Sequence, residues 1–205
     1  TPCGRLPCKS CGAAMQCWFV MECDRIFYDQ SNLQSVSIVM AQHATIETDA
    51  NTSPLKLVTR SVREVIARAN LNDRPWIGGV DVSLNTAEWS PGAYYWQYQA
   101  MMITSDLSTA DRRKLRSCLK TTFDVPRPLL VKNIYDLDGI AEYALKPDFN
   151  ARYSYFDENH RRNTHTSALK GAGLKQLSES MSDALHQDRL ITIGLRRHGN
   201  VLVKT

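Results

Sequence analysis

The chain has 205 residues, of which 43% are hydrophobic, 22% are charged and 8% are aromatic, and its formal net charge is +4. This composition is typical of a folded domain and excludes collagen-like, disordered and repeat-built chains. No run approaches the roughly 18 apolar residues of a membrane-spanning helix, so we expect a cytoplasmic protein with no membrane partner, and the mild positive charge is compatible with a polyanionic partner.

Hydrophobic periodicity along the chain predicts a succession of helices and strands. The predicted helices cover residues 13–27, 54–69, 108–120, 137–146 and 167–187. The predicted strands cover residues 35–42, 76–84, 94–103 and 128–135, and a hairpin follows over residues 190–203. The polar residues 148–165 are expected to be irregular. Two adjacent glycines inside a strand, Gly78 and Gly79, predict a bulge or a close approach of another backbone.

The order of these elements predicts an α+β domain with a central antiparallel sheet and helices on one face. We expect a ferredoxin-like arrangement of this sheet, preceded by a small cysteine-rich segment that binds zinc. The expected boundary lies near residue 30. Residues 1–30 would then hold the cysteine-rich segment and its helix, and residues 31–205 the α+β domain.

Five of the six cysteines lie in the first 23 residues. The sequence Cys8-Lys-Ser-Cys11-Gly12 is typical of a zinc knuckle, because two residues between cysteines let both thiolates reach one tetrahedral ion and the glycine eases a tight turn. Cys3 is close enough along the chain to be a third ligand. The sequence therefore predicts a structural zinc site.

The fourth zinc ligand is expected to be Cys17, with Cys23 and His43 as alternatives. The competing interpretation is that these cysteines form disulfides or stay as free buried thiols. A disulfide framework normally belongs to a small secreted chain, whereas this chain has a full apolar complement and no recognisable signal peptide. The other histidines have no spacing typical of a metal site and are predicted to lie at the surface: His160, His165, His186 and His198.

A second set of residues points to chemistry on the sheet. Strand alternation places Gln97 and Gln99 on one face of their strand. Asp81, on the preceding strand, would bring a carboxylate beside them if the two strands pair. Further along, Tyr143 and Lys146 lie about one helical turn apart, on the same side of a predicted helix.

The order of these parts resembles the rolling-circle replication initiators of small plasmids and mobile elements, the His-hydrophobic-His endonucleases. The resemblance covers most of the chain up to about residue 147, and it implies the sheet fold of replication initiators and relaxases. By similarity, residues 3–11 match the cysteine-rich segment and residues 35–42 the first strand. Asp81 matches the acidic position, Gln97-Tyr98-Gln99 the metal-binding strand, and residues 143–146 the nucleophile helix.

The resemblance implies a protein that recognises single-stranded or hairpin origin DNA. Tyr143 would attack the scissile phosphate, with Lys146 favouring the phenolate. Asp81, Gln97 and Gln99 would hold a divalent ion. Glutamine stands where the family has histidine, and its neutral amide oxygen is a weak ligand that suits Mg²⁺ or Mn²⁺. Such a site either binds a hard divalent ion weakly or no longer binds a metal ion and no longer catalyses cleavage.

Basic and aromatic side chains predict a nucleic-acid partner, since cations neutralise phosphates and flat rings stack on unpaired bases. The expected contact residues fall into two stretches: Arg112, Arg113 and Arg116, and then Arg152, Tyr153, Tyr155, Arg161 and Arg162. A solvated helix face explains the first stretch equally well. Two other functions stay open, a catalytically silent DNA-binding relative and a zinc-stabilised protein-interaction domain.

Overall fold

The computed structural model of the chain describes residues 3–6, 8–46, 55–86, 94–122, 125, 127–159 and 162–205, with the backbone alone for residues 45, 46, 156 and 162. The helices are α1 (Lys9–Phe27), α2 (Leu55–Arg68), α3 (Thr109–Ser117), α4 (Leu137–Ala144) and α5 (Gly171–Ser180). The strands are β1 (Leu33–Val39), β2 (Thr45–Ile46), β3 (Trp76–Thr86), β4 (Tyr94–Ser105), β5 (Leu129–Asn133), β6 (Asn150–Phe156), β7 (Arg162–Ala168), β8 (Leu190–Ile193), β9 (Leu195–His198) and β10 (Val201–Lys204). Within the described ranges, a first 3-10 helix covers Ala41–His43 and a second covers His186–Arg189.

Eight of the strands form one sheet in the order β5-β1-β4-β3-β6-β7, with β2 added to β4 and β8 added to β3. The pairs β1–β4 and β3–β4 are antiparallel, whereas β3 and β6 run parallel. The α+β class is therefore confirmed, but the sheet is mixed. Strands β9 and β10 form a separate antiparallel hairpin.

Helices cover both faces of this sheet, not one face as the sequence suggested. On one face Val80 and Val82 of β3 pack in a cluster with the apolar stripe of α2. On the other face Ile77 of β3 packs with residues of α1 and α4. Strand β3 is buried along both faces of its first nine residues, and this is why its sequence shows no clear alternation.

Helix α1 belongs to the same packed body as the sheet. Its buried residues Phe19, Cys23 and Ile26 share a cluster with Ile77 and Ile103 from the centre of the sheet. The cysteine-rich segment and its helix therefore pack directly on the α+β domain. Among the described helices, none combines the length and the apolar character needed to cross a membrane.

Local signals explain where several helices begin. Ser108 caps α3 in a capping box with Asp111, and Asp136 caps α4 by accepting a hydrogen bond from the backbone N–H of Gly139. Helix α1 begins at Lys9, four residues before the predicted start, so Gly12 lies within a helix and does not form a knuckle turn.

The sequence prediction was wrong for the stretch after α4. Residues 148–165 were expected to be irregular, but most of them form the antiparallel pair β6–β7. The helix expected over residues 167–187 is limited to α5, and a 3-10 helix begins at His186.

Candidate functional site

A row of polar side chains occupies one face of the sheet. In the β3–β4 pair, Asp81 lies opposite Gln99 and Ser83 lies opposite Gln97. Because side chains alternate between the faces of a strand, these four share one face. Gln99 Nε2 donates a hydrogen bond to Ser37 Oγ on β1 at 2.6 Å, so the row continues onto the neighbouring strand. The structure therefore brings together the two glutamines and Asp81.

Asp81 is nearly buried and is surrounded by cations. Its Oδ2 lies 2.9 Å from Lys146 Nζ and 4.0 Å from Arg152 Nη2, and its Oδ1 accepts a hydrogen bond from the backbone N–H of Val82. Lys146 Nζ is enclosed and has no well-aligned hydrogen-bond partner among the described residues, so its contact with Asp81 is an ion pair. Lys146 and Arg152 thus neutralise the negative charge of Asp81 within the protein.

Tyr143 in the last turn of α4 and Lys146, two residues beyond its end, lie at this face of the sheet. The helix predicted over residues 137–146 therefore ends earlier, at Ala144, and does not include Lys146. A Cβ on Gly79 of β3 would lie 2.5 Å from Leu145 Cδ1 and 2.6 Å from the carbonyl oxygen of Ala144. The glycine therefore permits the close approach that was one of the two alternatives expected at Gly78-Gly79. Lys146 Nζ lies over the Tyr143 ring, 5.0 Å from its centroid, in a cation–π contact.

Arg189 is a fully buried cation behind Asp81 that the sequence analysis missed. Its Nε donates to the carbonyl of Val80 at 2.8 Å and its Nη1 to the carbonyl of Lys146 at 3.0 Å. Burial lowers the pKa of Arg189, and the charge of Asp81 opposes that effect. Arg189 thus connects the backbone of Lys146 to the backbone of strand β3 through these two hydrogen bonds.

Part of this polar face, including Ser37, Gln97 and Gln99, is the floor of an open groove of about 660 Å³, here termed the polar groove. Asp81 and Lys146 lie beside the groove and are not among the residues that line it. Its cations are Arg127, Lys132 and Arg152, and no carboxylate occurs among the described residues that line it. Tyr143 forms part of its wall and is 42% exposed. The remaining polar lining residues are Ser35, Ser37, Asn85, Gln97, Gln99, Ser154, Thr164 and Thr166. This charge distribution favours an anionic ligand.

A divalent ion at Asp81, Gln97 and Gln99 does not fit this arrangement well. Lys146 lies against Asp81 Oδ2, and Gln99 Oε1 accepts a hydrogen bond from Arg152 Nη1 at 3.2 Å. Hard divalent ions prefer several oxygen ligands that include unpaired carboxylates. An ion would have to displace two cations from the one carboxylate in the set.

The predicted nucleic-acid contacts are divided between the two faces of the sheet. Arg152 lines the polar groove, whereas Tyr153 and Tyr155 alternate to the other face of β6 and are exposed there. The two remaining arginines of this stretch cannot be placed: Arg161 lies outside the described residues, and for Arg162 they include only the backbone.

The basic residues of α3 lie away from the polar groove. Helix α3 packs through Leu115 into the same cluster as α2, on the opposite face of the sheet. Arg113 and Arg116 are exposed there, and Arg112 is partly buried.

The cysteines near the start of the chain form a second site, here termed the cysteine group. The Sγ atoms of Cys3, Cys8 and Cys11 all lie within 4.8 Å of one another, so the group could hold a metal ion. The backbone N–H of Gly4 donates to Cys11 Sγ at 3.2 Å. The backbone N–H of Cys11 lowers the pKa of the Cys8 thiol, and the thiols of Cys11 and Cys3 add to that effect.

The three residues that the sequence offered as fourth ligand do not join this group. Cys17 lies six residues beyond Cys11 on α1, about 9 Å further along the helix axis, and is exposed. Cys23 is buried, and burial raises the pKa of its thiol far above the ordinary value. The ring of His43 lies 2.8 Å from Ser61 Oγ, and burial lowers its pKa.

Comparisons with known proteins find no match: no family model, curated protein or solved structure is significantly similar to this chain. The resemblance to rolling-circle initiators therefore rests on the order of the elements and on the residues of the sheet and of α4.

Proposed function

We propose that this protein binds single-stranded or hairpin DNA and that the polar groove holds the phosphate backbone. The observation that carries the proposal is the charge of the groove, to which Arg127, Lys132 and Arg152 contribute cations and the described lining contributes no carboxylate. Cations that neutralise phosphates supply most of the sequence-independent affinity for nucleic acid. The resemblance to replication initiators implies the same ligand, the origin DNA of a plasmid or mobile element.

The rest of the groove suits an unpaired strand better than a duplex. Tyr143 offers an exposed ring at the wall, and a base can stack on such a ring once it leaves its partner strand. Serine, threonine and glutamine side chains on the floor can form hydrogen bonds with sugars, phosphates and base edges.

The experiment is fluorescence anisotropy with a labelled DNA hairpin that carries a single-stranded tail, titrated between 50 and 200 mM NaCl. For single strands, each neutralised phosphate contributes about −0.7 to the slope of log K against log salt, so three groove cations predict a slope of roughly −2. Lys132→Gln should weaken binding and make the slope less steep by about 0.7. A chain that shows no salt-sensitive binding is better described as a protein-interaction domain.

The matched control is Arg113→Gln, which removes one charge from the opposite face of the sheet. We expect the DNA affinity and the salt slope of this variant to equal those of the wild type. If Arg113→Gln weakens binding and Lys132→Gln does not, the DNA lies on the face that carries α3, and the groove assignment is wrong.

Strand cleavage by Tyr143 is a second candidate function, favoured by the position of this phenol in the wall of the same groove as Gln97 and Gln99. In this reaction the phenolic oxygen attacks phosphorus, the bond from phosphorus to the 3′ oxygen breaks, and a phosphotyrosyl link and a free 3′ hydroxyl form. A denaturing gel of the labelled hairpin, with and without Mn²⁺, would show a covalent protein–DNA band. The band must disappear in Tyr143→Phe.

For the cysteine group, the proposal is a structural zinc ion. The Sγ atoms of Cys3 and Cys11 lie 3.6 Å apart, close to the edge of about 3.8 Å that a tetrahedron with Zn–S bonds of about 2.3 Å requires. Thiolates are the preferred ligands of structural zinc. None of the six cysteines is in a disulfide, so the three thiols are available as ligands.

A further inference from the structure

The cysteine group supplies three ligands, and a structural zinc site takes four. The fourth ligand would be a residue near Cys3, Cys8 and Cys11 in space. Cys17, Cys23 and His43 lie outside the group, and the imidazole of His186, which borders it, also lies beyond the 4.8 Å separation in this structure.

The side chains of His186 and Arg197 line a cavity with Cys3 and Cys11, and of these two only the imidazole can ligate a metal ion. His186 opens the second 3-10 helix and is only 5% exposed. Its Nε2 lies 3.2 Å from the carbonyl oxygen of Cys8, and it lines the same cavity of about 620 Å³ as Cys3 and Cys11. The sequence analysis placed His186 at the surface, and the structure shows that this was wrong.

The backbone holds His186 against the cysteine-bearing segment. The N–H of His186 donates to the carbonyl of Gly4 at 3.0 Å, and the N–H of Leu6 donates to the carbonyl of Ala184 at 2.9 Å. Arg5 and Leu185 form an isolated antiparallel bridge between these two hydrogen bonds. The loop between Cys3 and Cys8 is thus paired with the segment that carries the imidazole.

Gly12 gives the imidazole its space beside α1. A Cβ at this position would lie 2.9 Å from His186 Cε1 and 2.9 Å from Pro147 Cβ. The glycine that follows Cys11 therefore serves close packing of the histidine ring against the helix, and not the turn that the sequence pattern suggested.

We propose that His186 is the fourth ligand of the metal ion, so that the site is Cys3, Cys8, Cys11 and His186. The ring exchanges its contact with the Cys8 carbonyl for the ion by rotation of its side chain within the shared cavity. Three thiolates and one imidazole form a standard structural zinc set. This inference rests on the proposal that the cysteine group holds zinc, and it makes the metal a link between the first 11 residues and the C-terminal part of the chain.

The test is X-ray absorption at the zinc edge on the full chain, together with cobalt substitution. We expect three sulfur neighbours and the multiple scattering of one imidazole in the wild type. His186→Gln should remove the imidazole signal, shift the Co²⁺ absorption bands and weaken zinc binding roughly a hundredfold or more, beyond the 10–100-fold typical of an outer-shell partner. The control His198→Gln, an exposed histidine of the β9–β10 hairpin, should change none of these.

Rescue by a different ligand separates ligation from folding. His186→Cys should bind zinc tightly again, now with four sulfur neighbours. Zinc bound by three sulfurs without imidazole in the wild type would overturn the assignment of His186 while leaving the cysteine site intact. A wild-type chain that binds no zinc would overturn both the zinc proposal for the cysteine group and the assignment of His186. The DNA-binding proposal does not depend on this result, because anisotropy tests it separately.

Discussion

Replacement of Asp81 by asparagine tests the electrostatics of the polar groove. Asp81 is the carboxylate that faces Lys146 and Arg152, and the two members of its closest ion pair keep only 9% and 15% of their side chains exposed. Removing one partner of a buried pair costs about 3–5 kcal/mol when the pair is fully buried, and we expect about 3 kcal/mol here because Lys146 retains some solvent. For a chain of this length, that loss lowers Tm by roughly 6–12 °C.

The same substitution should strengthen DNA binding. Asparagine keeps the size of the side chain but removes the negative charge beside a groove that is lined by three cations. A unit charge about 8 Å from a phosphate, at an effective dielectric constant of about 40, contributes ~1 kcal/mol, or roughly a fivefold decrease in Kd. A variant that is less stable but binds DNA more tightly would indicate that the carboxylate of Asp81 neutralises Lys146 and Arg152 in the wild type.

Thermal unfolding and anisotropy with the labelled hairpin, both in the presence and absence of Mn²⁺, measure the two effects of Asp81→Asn. The control Asp183→Asn makes the same charge change at an exposed position and should leave stability within about 0.5 kcal/mol. Weaker DNA binding in Asp81→Asn, confined to samples with Mn²⁺, would refute this account and would make Asp81 a metal ligand. An unchanged Tm would refute the buried ion pair.

Four further outcomes follow from contacts in the structure. Gly79→Ala should cost about 2–3 kcal/mol and weaken DNA binding, because the new methyl group pushes the end of α4 from the sheet. Gly199→Ala has open space around its Cβ but a positive φ, so it should cost about 1 kcal/mol from backbone strain and leave binding intact. Arg189→Met should lower the free energy of unfolding by about 3 kcal/mol or more in urea titrations, since two carbonyls lose a charged donor; retained stability would contradict the role of this arginine. Cys8→Ser should lose bound zinc, measured by elemental analysis, and unfold at lower temperature, while Cys17→Ser should keep the metal. Burial lowers the pKa of His43, so near pH 6 the folded state binds fewer protons than the unfolded state. The free energy of unfolding therefore decreases as the pH falls below about 6.5. His43→Gln should make Tm depend less on pH between 7 and 5.

The parts of the fold that could be predicted are those with an apolar stripe or a long apolar run. Helix α2 was predictable from its apolar stripe, and strands β3 and β4 from apolar runs that are buried on both faces, and all three fall within a few residues of their predicted bounds. The pair β6–β7 was missed for a physical reason. One face of this pair, including Arg152 and Thr166, lines an open polar groove, and Tyr153 and Tyr155 are exposed on the other face, so the sequence shows no apolar alternation.

The proximity of several predicted residues follows from local patterns, but their electrostatics does not. Strand alternation placed Gln97 and Gln99 on one face, and the pairing of β3 with β4 adds Asp81, whereas Lys146 comes near Tyr143 although it lies beyond the end of α4. The ion pair between Asp81 and Lys146 joins residues 65 positions apart, and no local pattern encodes it. Arg189 and His186 are similar cases, because an isolated basic residue in a polar stretch looks like a surface residue until the chain folds.

The second 3-10 helix connects the two sites of the protein. It begins with His186 beside the cysteine group and ends with Arg189, one 3-10 turn later, whose guanidinium holds the carbonyls of Val80 and Lys146. Nε and Nη1 of Arg189 are fixed to these two carbonyls, whereas its buried Nη2 has no hydrogen-bond partner among the described residues. A metal ion that anchors the start of this helix would restrict the movement of Arg189 and, through it, of Lys146. The metal site would then restrain the ion pair of Lys146 with Asp81, and Asp81 is next to the polar groove through its strand partner Gln99 and through Arg152.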